Sequence, residues 1–269
     1  MVSNSNSKGV ALITGAGIGR AIAVRLAADG FDIGLSDIYT NKFNVYEVAR
    51  EITSAHPGRR VCVLLADVTV EDDIRSMVDC VVTELGSLDV MVANAGIIHT
   101  ATLVETTSED WDKIFAINVR GVFLTYKYAA QKMVALNETR KRGRHIIGAS
   151  SLLGKRGEER MSAYTASKFA VRGLTQAAAV ELGQHGITVN AYAPGPIVTA
   201  MLNQLNADTM KLIGSSDPEA YNENSRKKMS VGYLGTPKDI AGLVSYIASE
   251  ESHFITGQSI TIDGGMHFD

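Results

Sequence analysis

The sequence predicts an α/β protein in which a doubly wound, Rossmann-type parallel sheet of seven strands is flanked by helices. Three observations carry that expectation. Short apolar runs alternate with helical patterns along the whole 269-residue chain. Most of those runs are apolar on both faces, as a parallel sheet covered on both sides requires. Glycines cluster between the first run and the first helical stretch, where a doubly wound fold makes its ligand-binding turn.

Each element follows in chain order. Residues 1–8, "MVSNSNSK", are polar and read as a flexible tail. The first strand is Val10–Thr14, and a helix near 19–29 ends at Gly30, a C-cap glycine. Strand Asp32–Asp37 leads to a helix near 42–55, strand Val61–Ala66 to a helix near 71–85, and strand Asp89–Ala93 to a long helix over 108–136. Ser108 opens that helix without a full capping box, because Trp111 stands three residues on. Strand His145–Ser150 precedes a helix near 162–184, closed by Gly186. Strand Thr188–Ala193, a helix near 237–249 and strand Ser259–Asp263 complete the pattern. Residues 200–236 fit neither period and read as a polar insertion of the kind that forms substrate lids. No internal boundary, repeat or low-complexity tract divides the chain, so 1–269 is expected to be one domain.

Bulk properties exclude several classes. Hydrophobic residues make up 45% and charged residues 20%, as in an ordinary globular protein. The net charge of −3, without a basic block, argues against nucleic acid as the main partner. No run of eighteen apolar residues predicts a membrane span, and the N-terminus lacks the apolar core of a signal peptide. Two cysteines make no disulfide framework, and Cys62, within "VCVLL", reads as a buried small hydrophobe. Together these suit a reducing cytoplasm. No metal site is expected.

The chemistry concentrates in "GASSLLGKRGEERMSAYTASKFAVRGLTQ". Tyr164 and Lys168 are four apart, so a helix stacks them on one face. Ser151 lies thirteen residues before Tyr164, at the end of the apolar run Ile146-Ile147-Gly148-Ala149. A phenol titrates near 10, and a neighbouring ammonium favours its anion. A serine hydroxyl nearby can hydrogen-bond a carbonyl oxygen. The set suits proton transfer coupled to carbonyl reduction or alcohol oxidation. A lone Tyr-x-x-x-Lys is more often an exposed pair, so its company decides.

That company resembles the short-chain dehydrogenase/reductase family along almost the whole chain. "TGAGIGRAIA" is similar to the family's glycine turn, with Gly15, Gly17, Ile18 and Gly19 implied as phosphate contacts, but the space between Thr14-Gly15 and Gly17-Ile18-Gly19 is two residues short. Either the first strand yields a residue or the first helical turn unwinds. Asp37, ending the second strand, would bond a ribose 2′-hydroxyl and repel a 2′-phosphate, which prefers NAD(H); nearby Lys42 keeps NADP(H) open. Asp67-Val68 resembles the pair that holds adenine, and Asn94-Ala95-Gly96 the second half of Asn-Asn-Ala-Gly, with Ala93 in place of the first Asn. Asn118 sits mid-helix at a propensity cost, where the family kinks the helix and links a proton relay. Pro194, Gly195, Ile197 and Thr199 resemble the nicotinamide loop, with Thr199 at the carboxamide.

The resemblance implies Tyr164 as general acid/base, Ser151 polarising the substrate oxygen, Lys168 on the nicotinamide ribose lowering the Tyr164 pKa, and Asn118 in the relay. "GYLGTPKDIAGLVSYIAS" and the ending through Phe268 are similar to the acetoin (diacetyl) reductase and 2,3-butanediol dehydrogenase subgroup. The implied substrate is a small ketone or diketone and its secondary alcohol. A sugar or polyol dehydrogenase and a 3-oxoacyl carrier-protein reductase stand as alternatives. A non-catalytic protein with impaired cofactor binding is the alternative that the short glycine turn raises. Arg156, Glu158, Glu159 and Arg160 are expected to be solvated, as is Arg226-Lys227-Lys228; if the first group faces the site, a polyol, sugar or acidic substrate gains weight. His99 reads as a surface histidine rather than a wall of the site. The family pairs the helices near 108–136 and 162–184 between subunits, implying a homotetramer or homodimer.

Overall fold

The computed structural model describes residues 7–136, 143–213 and 219–268. Seven strands form one sheet: β1 (Val10–Thr14), β2 (Asp32–Asp37), β3 (Val61–Leu65), β4 (Val90–Ala93), β5 (Arg144–Ala149), β6 (Ile187–Pro194) and β7 (Ser259–Ile262). Their order is β3-β2-β1-β4-β5-β6-β7, every pair parallel. The chain starts at the centre, winds out to β3, and returns to lay β4 against β1, with Ala11 opposite Val90 and Ile13 opposite Val92. That reversal leaves a crevice beyond the carboxyl ends of β1 and β4.

Alternation along each strand feeds two cores. Ile13 and Ile33 face α1 (Ile18–Asp29), α2 (Lys42–Ala55) and α9 (Pro237–Ile247), meeting Ile22, Leu26, Val48, Ile240 and Val244. Leu12 and Met91 face the opposite way, toward α3 (Glu71–Leu85), α5 (Val122–Ala135) and α6 (Ser162–Leu182), meeting Met77, Val81, Leu124 and Val171. Full burial of each such side chain contributes about 1.5–3 kcal/mol. β1 is buried throughout, whereas edge strand β3 is half-covered. Cys62 on that edge is therefore half-buried rather than buried, and burial, with Cys80 beside it, pushes its thiol up to about 11.

Most expected elements form, with strand limits shifted by about a residue. Four features differ. The long helix over 108–136 is three segments: α4 (Ser108–Phe115), a π-helical turn Ala116–Gly121, and α5. Thr107, not Ser108, caps α4, its hydroxyl accepting from the Asp110 N–H at 3.1 Å. Within 200–236 the described residues form two helices, α7 (Ala200–Ile213) and α8 (Ala220–Lys228). Residues 1–6 of the expected tail lie outside the described residues, while the Lys8 N–H donates to the Gly30 carbonyl at 3.0 Å, so the tail is tied down there. Gly30 and Gly186 take the left-handed conformation expected of helix-ending glycines. No helix among the described residues is long and apolar enough to cross a membrane.

Candidate active site

The crevice is braced from beneath by Asn94, at the end of β4. Its amide donates to the carbonyls of Thr14 (2.9 Å) and Gly15 (2.8 Å) and accepts from the Tyr192 hydroxyl at 2.7 Å. Thr14 returns the contact, its hydroxyl accepting from the N–H groups of Asn94 and Ala95. This locks the ends of β1, β4 and β6 in register. A Cβ on Gly19 would fall 3.0 Å from the same Asn94 amide, so the first turn of α1 packs directly on the brace.

The glycine turn closes without either adjustment anticipated for its missing residues. β1 is complete, and α1 begins at Ile18, directly after Gly17. Gly15 makes the bend with φ +82°, a region that favours glycine, and its N–H donates to Ser36 O at 2.7 Å. Asp37 then latches the loop. Its Oδ2 accepts from the Ala16 N–H (2.8 Å) and the Asn41 side chain (2.7 Å), and its Oδ1 from the Ile38 N–H (2.7 Å). Three of the roughly four acceptor positions of the carboxylate are therefore occupied. Lys42 is turned to Tyr39, with Nζ 2.9 Å from the phenol oxygen. Asp67 accepts from the Thr69 N–H and hydroxyl, shaping the turn after β3, and Val68 packs against Gly121 of the π turn.

Ser151, Tyr164 and Lys168 converge at the carboxyl end of β5. Ser151 is extended after the strand, and its hydroxyl accepts from the Leu153 N–H at 3.1 Å. Tyr164 and Lys168 share one face of α6, with the ammonium 5.4 Å from the ring centroid. Lys168 Nζ donates to Ala149 O at 2.8 Å. Burial pushes the Tyr164 phenol up to about 12, opposed by a hydrogen bond with Ser151. Burial also brings Lys168 down to about 8. Desolvation is the largest influence on the Tyr164 phenol.

The π turn has a local cause. Asn118 is fully buried, and its side chain acts as a surrogate peptide for Ile97, accepting its N–H and donating to its carbonyl, each at 2.9 Å. A further bond runs to Ser167 Oγ at 3.1 Å, and Ser167 donates to the carbonyl of Tyr164 at 2.7 Å. Ser167 is a positioning residue that the sequence pattern did not single out. Gly96 keeps this cluster approachable, since a Cβ there would stand 3.2 Å from Asn118 Oδ1 and 3.5 Å from Lys168 Nζ.

One cavity of about 180 Å³ joins Ile18 at the start of α1, the loop Pro194, Gly195, Ile197 and Thr199, and the pair Ser151 and Tyr164. Gly15, Gly17, Gly19, Asp37, Asp67, Val68, Asn94, Gly96, Asn118 and Lys168 lie outside that lining, within the carboxyl-edge structure just described. Thr199 is half-committed, its hydroxyl donating to Ile197 O at 3.1 Å and accepting from the Leu202 N–H at 3.3 Å. A nicotinamide dinucleotide fits this arrangement. Gly17 has open space where a Cβ would stand. The N-terminal end of α1, where helix geometry directs backbone N–H groups outward, suits a diphosphate, and the cavity leads from Ile18 to the buried phenol.

Leu202 and Leu205 of α7, Tyr221 of α8, and Met161 and Met266 complete the cavity wall; the sequence marked the region 200–236 but not these side chains, and the apolar spacing of Leu202 and Leu205 was the available signal. One expectation about charge needs correction: Arg156 and Glu158, still about one-third exposed, line the cavity. Lys228 borders the same cavity and is exposed, as expected of its charge run. Glu159 is exposed as expected, whereas Arg160 is half-buried and pairs with Glu105 at 3.9 Å. His99 faces Asp110 at 3.7 Å and is not in the lining.

Comparison with known proteins agrees with this geometry. The family described as Enoyl-(Acyl carrier protein) reductase matches residues 12–267. A short-chain dehydrogenase/reductase of Armillaria gallica is 47% identical over 272 residues, covering 100% of both chains. The L-2,3-butanediol dehydrogenase of Corynebacterium glutamicum is 42% identical over 259 residues, covering 96% of this chain and 98% of that one. Among solved structures, a short-chain dehydrogenase from Burkholderia cenocepacia in complex with NADP superposes with a TM-score of 0.84 at 34% identity, covering 97% of this chain and 98% of that one.

Proposed function

The chain belongs to the short-chain dehydrogenase/reductase family and is an oxidoreductase that uses a pyridine nucleotide; on that premise we propose that it interconverts a small ketone or diketone and its secondary alcohol, with NAD(H) preferred. The observation that carries this reading is that Ser151 and Tyr164 line one cavity together with Ile18 at the start of α1, with Lys168 beside Tyr164 on the same face of α6. The relationship to a butanediol dehydrogenase supports the substrate class. Oxidation of one alcohol of that diol gives the hydroxyketone acetoin, and a second oxidation gives the diketone.

When bound, the nicotinamide supplies hydride to the carbonyl carbon in reduction and accepts it in oxidation. The protein manages the proton. Tyr164 gives its hydroxyl proton to the carbonyl oxygen, while Ser151 Oγ donates a hydrogen bond to that oxygen and stabilises the developing charge. Lys168 offers N–H groups to the nicotinamide ribose and brings positive charge beside the phenolate that forms. Asn118 and Ser167 hold the α6 backbone at Tyr164. Asp37 supports NAD(H), because a carboxylate at the end of β2 repels a 2′-phosphate.

Tyr164→Phe tests the assignment. Turnover is expected to fall by roughly 10²–10⁴-fold, the usual worth of a general acid, while NADH continues to raise the melting temperature; full turnover in the variant would sink it. A thermal titration with NADH and separately NADPH tests the cofactor, since a ligand at one hundred times its dissociation constant stabilises by about 2.7 kcal/mol. A larger shift with NADPH would overturn the preference. We further propose a homotetramer or homodimer, because α5 and α6 leave Phe123, Phe169 and Val180 exposed. Light scattering of the wild type against Phe169→Glu/Val180→Glu should show the variant shifted to monomer.

A further inference from the structure

We infer that the preferred substrate is a ketone carrying a carboxylate, with Arg156 as the residue that selects it. The inference rests on the oxidoreductase reading and narrows its substrate class. The cavity has an apolar body, formed by Ile98, Leu153, Met161, Leu202 and Leu205, and one charged sector. That sector holds two cations, Arg156 and Lys228, and one acid, Glu158. Arg156 Nη2 pairs with Glu158 Oε2 at 3.0 Å, which neutralises one positive charge. Lys228, on the exposed final turn of α8, forms no ion pair among the described residues. The cavity wall therefore carries a net positive charge inside a largely apolar chamber.

Arg156 also has an unspent donor. Its Nε is shut away from solvent with no hydrogen-bond acceptor. A buried N–H without a partner is unfavourable; a carboxylate that turned the guanidinium toward the cavity would give Nε an acceptor in the planar fork that matches it. An ion pair that keeps about one-third of its surface in solvent, as Arg156–Glu158 does, contributes little to stability, so fold maintenance does not account for an arginine turned toward this chamber. Tyr221 links the sector to the chemistry. Its phenol is raised mainly by burial and is influenced by both Glu158 and Arg156, and it acts in turn on Tyr164. An uncharged diketone would meet the apolar wall and Tyr164 but leave the cationic sector without an acceptor. A carboxylate on the same carbon skeleton supplies one, with the ketone directed to Ser151 and Tyr164.

The test compares oxo acids of increasing length (acetoacetate, levulinate and its next homologue) with their methyl esters, using diacetyl as a neutral reference. In the wild type at least one acid should exceed its ester in kcat/KM by about tenfold, a factor equivalent to about 1.4 kcal/mol. In Arg156→Met the acid-to-ester ratio should collapse to about one, through KM rather than kcat, and Arg156→Lys should restore part of it. A merely structural role for Arg156 would depress acid and ester alike. Should Arg156→Met fail to fold, Lys228→Met reads the same ratio. Esters that match or surpass every acid in the wild type, or a ratio that survives substitution, would overturn the inference while leaving the oxidoreductase reading intact. Absence of turnover with any ketone would bring down that reading and the inference together.

Discussion

Tyr164 and Lys168 sit in an environment where burial, not their mutual contact, sets the resting charge. Desolvation pushes the phenol up to about 12 and the ammonium down to about 8. A phenol so placed keeps its proton at neutral pH, which is the state that ketone reduction requires. Because kcat/KM reports the ionisation of the free enzyme, reduction should retain its acid across neutral and mildly alkaline pH. Alcohol oxidation needs the phenolate and should gain up to about tenfold per pH unit over the same range while that group limits the rate. Profiles of kcat/KM in both directions check this. A reduction rate that collapses near pH 7 would show that the phenol ionises far below the value its burial dictates. Gly148 makes a second argument at this scale. It lies on β5 where a Cβ would overlap the buried Tyr126 hydroxyl, which is itself bonded to Thr175 at 3.0 Å. Gly148→Ala should destabilise the fold by about 1–3 kcal/mol, read from the midpoint of urea unfolding.

At the level of elements, the turn between β1 and α1 shows how a deletion is absorbed. Two residues fewer than the family's usual spacing leave β1 and α1 intact, and the carboxylate of Asp37 takes up the Ala16 N–H. In this chain Asp37 is thus both a candidate ribose contact and the latch of the loop. Removing it should weaken binding of NADH and NADPH together instead of exchanging one for the other. Asp37→Ala leaves the donors of Ala16, Ile38 and Asn41 without their acceptor and is expected to destabilise by about 1–3 kcal/mol. Asp37→Asn retains an oxygen for Ala16 and should hold closer to the wild type. Fluorescence titration of both nucleotides, with urea unfolding of the apo forms, checks the pair. A clear gain in NADPH affinity in Asp37→Ala, with the loop still stable, would show that the latch is dispensable. The π turn follows the same logic: Asn118 replaces helical backbone contacts with its own amide bonds to Ile97 and Ser167, which is why an asparagine occupies the middle of a long helical run.

For the molecule as a whole, what the sequence disclosed depended on how local the determining physics was. The strands were legible because Val10–Thr14 and Ile146–Ala149 are apolar runs buried on both faces, and Ser151, Tyr164 and Lys168 because their spacing survives folding unchanged. Helices α7 and α8 were not, since the apolar residues of α7 are interleaved with Asn203, Gln204, Asn206 and Asp208. Nor was the orientation of Arg156, which pairs with Glu158 at the wall of the cavity. The pKa inversion was hidden too, because desolvation belongs to the assembled core and leaves no mark on a short motif. That inversion has a consequence for the whole fold. Unfolded, Lys168 loses its proton near 10.5; folded, near 8. Between these values the unfolded chain binds more protons, so stability rises with pH, by up to roughly 3 kcal/mol over the full interval. Tyr164 acts in the opposite sense. Folded, it holds its proton to about 12 against an ordinary value of 10.0, so stability falls as pH climbs above 10. Burial raises Tyr126 and Tyr192 in the same direction and deepens that fall. The raised Cys62 thiol, ordinarily near 9.0, opposes the Lys168 rise from pH 9 upward. The apo protein should therefore show stability that rises from about pH 8 to 9, levels off, and falls above 10, measured by urea unfolding at each pH. Lys168→Met should flatten the rising limb and keep the fall. A wild-type stability that declines steadily from pH 8 would mean that the buried ammonium keeps its charge, and that an anion or carbonyl near Ala149 holds it there.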